Sequence, residues 1–289
     1  MKKIALLTCE AVPELVDFKN AYDDRPLIDL LRYDGVVAEP AIWSDANIYW
    51  EQYDAVIIRS PWDYMYRFAD FSAWLQQLSI PIFNSPDVVR YNIHKFYLRD
   101  FEQQGIPIVP TVFIDKNTVC SLAQIAEKKE WSELIVKPAI SGGAYHTYRI
   151  AAHEVGNYQP LIDGLLLEHD LLVQSFLPEI MEKGEYSLIF FNQQYSHTVQ
   201  KIAQKGDFRV QPKFGGSIKN AEPSETLLSV AQNIIDQQGD LLYARVDIVE
   251  TEQTPLLMEL ELIEPHLFTF EKREQNLFAQ AIIDKVYGQ

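Results

Sequence analysis

The spacing of apolar residues divides the first 85 residues into short strands and amphipathic helices. Apolar runs of strand length alternate with two segments whose leucines or aromatic residues recur at helical spacing. Strands that alternate with helices favour a parallel sheet covered on both faces, in which ligands bind beyond the carboxyl ends of the strands. The predicted strands are Lys3–Thr8, Val36–Trp43, Tyr53–Ser60 and Ile80–Asn84, and the predicted helices are Asp24–Tyr33 and Phe68–Leu78.

The pattern changes after residue 85 to a mixture of helices and strands without an internal repeat. One helix is predicted over Asn92–Gln104, ended by Gly105, because glycine is a common C-cap. An extended strand is predicted over residues 106–114, punctuated by prolines. Further helices are predicted over Leu122–Lys129, Ser224–Gln238 and Gln275–Tyr287, with strands over Glu133–Pro138, Tyr186–Asn192 and His197–Ile202.

Residues 241–265 predict a hairpin of two alternating strands joined by a polar turn. Side chains alternate between the two faces of a strand, so Arg245 and Asp247 share one face, and Glu259 and Glu261 share one face. If Asp247 pairs with Glu259, Arg245 lies opposite Glu261, and three carboxylates surround one guanidinium. The opposite, apolar face is predicted to carry Ala244, Val246, Ile248, Met258, Leu260 and Leu262.

Three crowded carboxylates repel one another unless a cation lies among them or some stay protonated. Oxygen ligands on a rigid sheet suit Mg²⁺ bridged to a nucleotide phosphate. The alternative is an ordinary amphipathic hairpin with a solvated acidic face. The hairpin alone leaves both interpretations open.

Composition excludes several classes of protein. The net charge of −16 argues against nucleic acid as the main partner, although a basic pocket for a nucleotide can exist in an acidic protein. No apolar stretch is long enough to span a bilayer. Cys9 and Cys120 fit no metal or redox spacing, so we expect buried thiols in a cytoplasmic protein. No convincing Ser–His–Asp or Cys–His set is present.

A lysine and a glycine loop follow the apolar strand 133–138. Lys137 ends that strand, where a lysine commonly neutralises an anion or lies at an edge. Ser141, Gly142 and Gly143 offer backbone N–H groups that can fold over phosphate oxygens, although a Gly-Gly turn is often a plain hairpin turn. Lys95 alone would be a surface charge.

Two other segments carry candidate charges. Lys201 and Arg209 lie in a second glycine-bearing basic segment, and with Arg245 they could hold an anion that also contacts the metal. Arg59, Trp62 and Asp63 follow the third strand, on the ligand side of a parallel sheet. The alternative for this loop is a capped turn packed on the sheet, with an internal Arg59–Asp63 ion pair.

Together these residues resemble the ATP-grasp superfamily, specifically its bacterial glutathione synthetase-like branch. The matching segments are VQSFLPEI with the following Gly-Glu pair, KIAQKGDFRVQPKFGG, and DIV with MELELIEP. A narrower resemblance, carried by RSPWDY, YARVD and MELELIEP, is to the group containing the cyclo-ligase that closes D-cycloserine. One departure is Glu261, where glutathione synthetases typically have Asn; the added charge should tighten cation binding.

The resemblance implies a role for each matched position. Metal ligands would be Asp247, Glu259 and Glu261; ATP phosphates would contact Lys95, Lys137 and the glycine loop; the segment Gln174, Phe176 and Leu177 would bind adenine, and Glu185 the ribose; Lys201, Arg209 and Arg245 would face the transferred phosphate. The position of their loop after the third strand, and not the resemblance, makes Arg59, Trp62 and Asp63 candidates for binding substrate.

The resemblance also implies the architecture and the activity. It predicts a doubly wound N-terminal domain (1–85) followed by a two-lobed ATP-grasp module, with a small lobe (86–173) and a metal-binding lobe (174–289). The expected activity is ATP- and Mg²⁺-dependent ligation of a small carboxylate to an amine through an acyl phosphate. A nucleotide-binding regulatory or carrier protein, and a metal-dependent phosphatase, are the alternatives. The oligomeric state, including a homodimer, stays open.

Overall fold

In the computed structural model, residues 1–10, 24–204, 206–210 and 214–288 are described, and they form three β-sheets. The N-terminal sheet is parallel, in the order β2-β1-β3-β4. Its strands are β1 (Lys2–Thr8), β2 (Val36–Ile42), β3 (Ala55–Ser60) and β4 (Ile82–Phe83). The sequence prediction of this sheet is therefore confirmed.

Helices cover both faces of the N-terminal sheet. On one face, α1 (Arg25–Tyr33) inserts Leu27 and Leu31 into the core. On the other face, α2 (Phe68–Gln77) contributes Phe71 and Leu75. The fully buried strand β3 is apolar on both sides until Arg59, as expected for a central parallel strand.

The segment predicted as one helix over Asn92–Gln104 is instead two short helices, so this prediction was wrong. Helix α3 (Pro86–Asn92) begins at a Ser85 cap, and α4 (Tyr97–Gln103) follows after a break. In the break the N–H of Lys95 donates to the carbonyl of Ala139 (2.9 Å) rather than within a helix. A tertiary contact thus overrides local helical propensity.

The second sheet is antiparallel, in the order β5-β8-β6-β7. Its strands are β5 (Thr111–Ile114), β6 (Glu133–Pro138), β7 (Tyr148–Ala151) and β8 (Leu171–Ser175), packed against α5 (Leu122–Lys129) and α6 (Val155–Leu166). The strand predicted over residues 106–114 is shorter because Pro107 and Pro110 lack the N–H that a ladder needs.

The third sheet has the order β11-β10-β9-β12-β13 and carries the hairpin at its edge. It contains β9 (Glu185–Phe191), β10 (Gln194–Ile202), β11 (Ser217–Ala221), β12 (Tyr243–Glu250) and β13 (Pro255–Glu261), preceded by α7 (Glu179–Glu182) and joined by α8 (Glu225–Asp236), with α9 (Lys272–Tyr287) last. The predicted limit between residues 173 and 174 falls inside β8; the domain limits stay a prediction. No described helix is long and apolar enough to cross a membrane.

The last helix packs against the first domain. Phe278, Ile282 and Val286 of α9 share one apolar core with Ile4 and Leu6 of β1. The segment before α9 contacts both units, since Trp62 donates to the carbonyl of Glu264 and Arg245 donates to the carbonyl of His266.

Candidate active site

The hairpin has the register that the sequence suggested. Asp247 pairs with Glu259, and Arg245 pairs with Glu261. Ala244, Val246 and Ile248 enter the core on the opposite face. Three carboxylates and one guanidinium therefore share one surface of the sheet.

The assignment of Met258 to the apolar face was wrong. The register shifts after Asp247, so that Ile248 pairs with Leu257 and Met258 is the extra residue of a bulge. Leu257 enters the core with Leu260, while Met258 lines the cleft beside the charged residues.

Neighbouring strands extend this charged surface. Across β9 and β10, Glu185 pairs with Lys201, and across β9 and β12, Ser187 pairs with Asp247. Ser187 was not predicted, although its spacing of two from Glu185 places both on one face. We call the whole row the charged ladder; it consists of Lys201, Glu185, Ser187, Arg245, Asp247, Glu259 and Glu261.

Each predicted metal carboxylate is engaged by a basic side chain. Arg245 donates to both oxygens of Asp247 (Nε–Oδ1 2.9 Å, Nη2–Oδ2 2.8 Å) and also to Glu261. Lys137 from β6 donates to Glu259 Oε1 (2.6 Å). Lys201 pairs with Glu185 and lies 3.3 Å from Asp247 Oδ2. The protein's own cations therefore lie among these carboxylates.

These pairs separate the pKa values of the acids. Burial opposes ionisation of Glu259, yet the charges of Lys137 and Lys95 lower its pKa to about 2. Burial likewise opposes ionisation of Asp247, and Arg245 and Lys201 hold its pKa below the usual range. Burial raises the pKa of Glu185 to about 7 against the opposing charge of Lys201. One face therefore holds the firmly ionised Asp247 and Glu259 beside Glu185 and Glu261, whose pKa values are raised by burial.

The glycine loop lies above the ladder and contacts the N-terminal domain. Lys95 donates to the carbonyl of Ser141 (2.6 Å), which ties the loop to the break between α3 and α4. A Cβ on Gly142 would lie 2.8 Å from the Met65 methyl group, which is the end of a flexible side chain of the N-terminal domain. Gly143 has a φ of +56°.

A cleft of about 130 Å³ lies between the second and third sheets. Its lining combines the charged residues of the ladder with apolar side chains, which include Val109, Ile135, Leu177, Ile180 and Met258. The predicted residues that line it are Lys137, Ser141, Gly142, Gly143, Gln174, Leu177, Glu185, Lys201, Arg209, Arg245, Asp247, Glu259 and Glu261.

Two predicted nucleotide residues lie behind the cleft lining. Lys95 donates to the carbonyl of Ser141 in the glycine loop. Phe176 is buried, with the Arg149 guanidinium 3.7 Å from its ring centroid. Arg209 does line the cleft, held by Asp207 (2.7 Å) and stacked on Phe214.

The three predicted substrate residues separate in space. Arg59 pairs with Asp24 (2.9 Å), not with Asp63. Asp63 accepts a hydrogen bond from Trp43 Nε1 (2.6 Å), and Trp62 donates to the carbonyl of Glu264 (3.4 Å). Asp63 and Trp62 line neither this cleft nor the second cavity described next.

A second cavity of about 280 Å³ lies between the N-terminal domain and residues 266–278. Its polar lining includes the pair Arg59 and Asp24. Arg245 connects the two cavities, because its Nη1 donates to the carbonyl of His266 (3.4 Å) and its guanidinium lies 5.7 Å from the Phe268 ring. The other lining residues are Pro26, Leu27, Leu267, Thr269, Phe270, Gln275 and Phe278.

The donor chemistry of the ladder fits Mg²⁺. Three carboxylates, all hard oxygen donors, line one cleft. Within the described ranges, no group of three or more acidic, histidine or cysteine side chains is gathered tightly enough to hold a metal ion. Lys137 and Arg245 hydrogen-bond to carboxylate oxygens of Glu259 and Glu261.

The comparisons with known proteins agree with this geometry. Residues 4–84 match the family model "D-cycloserine synthetase DcsG, N-terminal domain", and residues 101–286 match "RimK-like ATP-grasp domain". The chain belongs to the RimK-like ATP-grasp family. It is thus an ATP-grasp ligase, an enzyme class that joins a carboxylate to an amine at the expense of ATP.

Relatives of this ligase cover its full length. It is 28% identical to the cycloserine biosynthesis protein DcsG of Streptomyces lavendulae (95% of this chain, 97% of the relative). The crystal structure of D-cycloserine synthetase DcsG matches with a TM-score of 0.84 at 25% identity over 98% and 99% of the two chains.

More distant relatives agree on the fold. A glutathione synthetase of Neisseria meningitidis is 24% identical over 70% of this chain and 63% of its own length. D-alanine–D-alanine ligase from Bacillus anthracis, complexed with ATP, matches with a TM-score of 0.72 at 14% identity over 100% and 98% of the chains. The resemblance to this superfamily and its glutathione synthetase-like branch is confirmed.

Glu264 is a half-buried acid of this ligase that the sequence analysis did not single out. Burial and the neighbouring Glu261 raise its pKa to about 8, although Tyr64 hydrogen-bonds to it. Glu264 lies near the end of the segment MELELIEP, but nothing in the sequence pattern distinguished it from a surface acid.

We expect Glu264→Gln to stabilise the ligase increasingly as the pH rises from 5 to 8. An unfolded carboxyl loses its proton above about 4.5, whereas the folded one keeps it up to about 8. The protonated Glu264 carboxyl therefore stabilises the folded state at low pH, and this contribution to the free energy of unfolding is lost as the pH rises from about 5 to about 8. Thermal melts across the range test this, with exposed Glu51→Gln as the control; a pH-independent difference between Glu264→Gln and the wild type would contradict it.

Proposed function

We propose that this ligase activates a small amino-acid-like carboxylate as an acyl phosphate and then joins it to an amine. The observation that carries the proposal is the position of Arg245. Its guanidinium forms part of the cleft that suits ATP and also contacts the wall of the second cavity. Phosphoryl transfer between ligands in the two spaces would pass beside this fixed positive charge.

The lining of the cleft offers groups suited to each part of a nucleotide triphosphate. Its apolar side chains could pack on adenine, with Gln174 and Leu177 on the lining. Its basic side chains, Lys137, Lys201, Arg209 and Arg245, could contact phosphates. We propose Glu185 as a partner of the ribose or of a neighbouring hydroxyl group.

Mg²⁺ would be held by Asp247, Glu259 and Glu261, where it would neutralise phosphate charge. ATP phosphates would draw Lys137 and Arg245 away from Glu259 and Glu261. This exchange would free carboxylate oxygens for Mg²⁺ when the phosphates bind. The site would therefore need no large rearrangement to bind the metal and the nucleotide.

The second cavity suits a small zwitterionic substrate. Arg59 can bind a carboxylate with two parallel hydrogen bonds, and Asp24 can bind an ammonium group. Asp24 thus takes the role for which Asp63 was considered, because Asp63 lies under Trp43. The similarity to D-cycloserine synthetase supports an amino-acid derivative and makes ring closure within one substrate a candidate alongside joining two.

The proposed chemistry balances in two steps. A carboxylate oxygen of the substrate attacks the γ-phosphorus, the bond from that phosphorus to the β,γ-bridging oxygen breaks, and ADP leaves with the electron pair. The amine then attacks the acyl carbon, the carbon–oxygen bond to phosphate breaks, and the amine loses a proton. Lys201, Arg209 and Arg245 offset the charge on the transferred group.

A trapping assay tests this sequence directly. ATP, Mg²⁺ and panels of amino acids and their derivatives are incubated with hydroxylamine, which converts an acyl phosphate into a hydroxamate. We expect hydroxamate and ADP only when a suitable carboxylate is present. Phosphate release without any carboxylate would favour a phosphatase, and ATP binding without turnover across the panels would favour the regulatory or carrier alternative.

We expect Lys137→Met to weaken ATP binding. A ligand that binds only the native state raises its stability by mass action, and each tenfold loss of affinity removes about 1.4 kcal/mol of that gain. The measurement is the rise in melting temperature on adding ATP and Mg²⁺, each variant compared with its own apo form. Lys2→Met, which removes an exposed ion pair with Asp54, is the control. An undiminished rise in Lys137→Met would remove Lys137 from the phosphate site.

We expect Glu259→Gln to fold but to lose Mg²⁺-dependent turnover. The substitution removes one oxygen charge from the proposed metal site and the ion pair with Lys137, so a moderate fall in melting temperature accompanies it. Hydroxamate formation as a function of Mg²⁺ concentration is the measurement. Glu250→Gln at the end of the same hairpin is the control, and wild-type turnover in Glu259→Gln would exclude Glu259 as a ligand.

We expect Arg59→Ala to raise the KM for the carboxylate substrate while ATP affinity stays unchanged. The loss should be roughly ten- to a hundredfold, since hydrogen bonds to charged groups contribute about 1.5–3 kcal/mol. Arg59→Lys keeps the charge without the two-pronged geometry and should show a smaller rise. If ATP affinity falls while KM is constant, the second cavity is not the substrate site.

A further inference from the structure

The outer edge of β13 is completed mainly by side chains instead of another strand. β13 is the last strand of its sheet, so the N–H and C=O groups of alternate residues face away from β12. Leu257 finds backbone partners at Pro107 and Val109. Leu260 and Leu262 do not continue this pairing.

Three buried polar side chains satisfy Leu260 and Leu262. The Asn92 amide donates to Leu260 O (2.8 Å) and accepts from Leu262 N–H (2.9 Å), as a residue of a paired strand would. The Tyr97 hydroxyl accepts from Leu260 N–H and donates to Leu260 O, both at 2.9 Å. Asn84 donates to Leu262 O (2.7 Å). We call Asn84, Asn92 and Tyr97 the edge clamp.

The clamped residues alternate with the carboxylates. Glu259 and Glu261 bond through their backbones to β12 on the inner side, while Leu260 and Leu262 bond to the clamp on the outer side. Fixing the even-numbered backbone positions fixes the pleat, and the pleat sets where the odd-numbered side chains project. A one-residue slip would turn both carboxylates into the core.

The break between α3 and α4 makes this clamp geometrically available. In a continuous helix, residues 92 and 97 would lie about 140° apart around the axis and could not reach one strand edge together. The break also contains Lys95, whose amino group binds the glycine loop. One short segment thus contacts both the carboxylate strand and the loop above it.

We propose that Asn92 and Tyr97 are positioning residues that set Glu259 and Glu261 for Mg²⁺–nucleotide binding. They touch neither ligand; they act through the backbone of Leu260 and Leu262. This inference rests on the proposed function, because it takes Glu259 and Glu261 as metal ligands.

The test uses Tyr97→Phe, which keeps the buried ring and removes only the hydroxyl. Partners that orient metal ligands typically change metal affinity or activity by about 10–100-fold when lost. We expect the Mg²⁺ concentration for half-maximal binding of a non-hydrolysable ATP analogue to rise about tenfold, at the low end of that range. Asn92→Asp, which loses the donor to Leu260 O, should shift it in the same direction.

Amide hydrogen exchange provides a readout that does not depend on ligand. In apo Tyr97→Phe, the Leu260 amide loses its hydrogen-bond partner and should exchange faster than in the wild type. Tyr53→Phe, which removes a largely buried hydroxyl bonded to Glu39 in the N-terminal domain, is the matched control. It should leave both the Mg²⁺ requirement and the Leu260 exchange unchanged.

The outcomes separate this inference from the proposed function. Faster Leu260 exchange together with a raised Mg²⁺ requirement supports the clamp as a positioning device. Faster exchange with an unchanged Mg²⁺ requirement overturns it, provided that Glu259→Gln does raise the requirement. If Glu259→Gln leaves the Mg²⁺ requirement unchanged, the metal assignment in the proposed function fails, and the clamp is then a purely structural feature.

Discussion

Charge compensation on one face of the third sheet is the constraint on which the site depends. Buried charges are tolerated when they are paired and hydrogen-bonded. Arg245 is the centre of this arrangement, because its single guanidinium engages Asp247 and Glu261 and contacts both cavities. Lys137 crosses from another sheet to Glu259, so the second and third sheets are joined by an ion pair at the place where a nucleotide would lie.

This compensation would be kept on binding. The protein's own cations pair with the carboxylates, and a nucleotide with its metal would supply both a new anion and a new cation. The basic side chains would then pair with phosphates and the carboxylates with the metal, so that few buried charges would be left unpaired. Such a site is preorganised, since its charged groups are already held in place before binding.

The alternation of polar and apolar residues predicted the parallel sheet and the hairpin, whereas most of the cleft lining was predicted from the resemblance to the ATP-grasp superfamily. The alternation failed where tertiary contacts override local pattern. A bulge at Met258 changes the face of one side chain without changing composition. The helix through Ile93 is interrupted because Lys95 bonds to Ala139. Asp24 could not be paired with Arg59 from spacing alone, since 35 residues separate them.

The packing of α9 has a consequence for how the chain is made. The first strand, β1, shares its core with Phe278, Ile282 and Val286, which are synthesised long after it. An N-terminal domain emerging from the ribosome therefore lacks part of its own interior until α9 has been translated, and one apolar face of its sheet stays open to solvent meanwhile. Folding of the first domain thus depends on a distant helix, and a truncation that removes α9 would expose the core around β1.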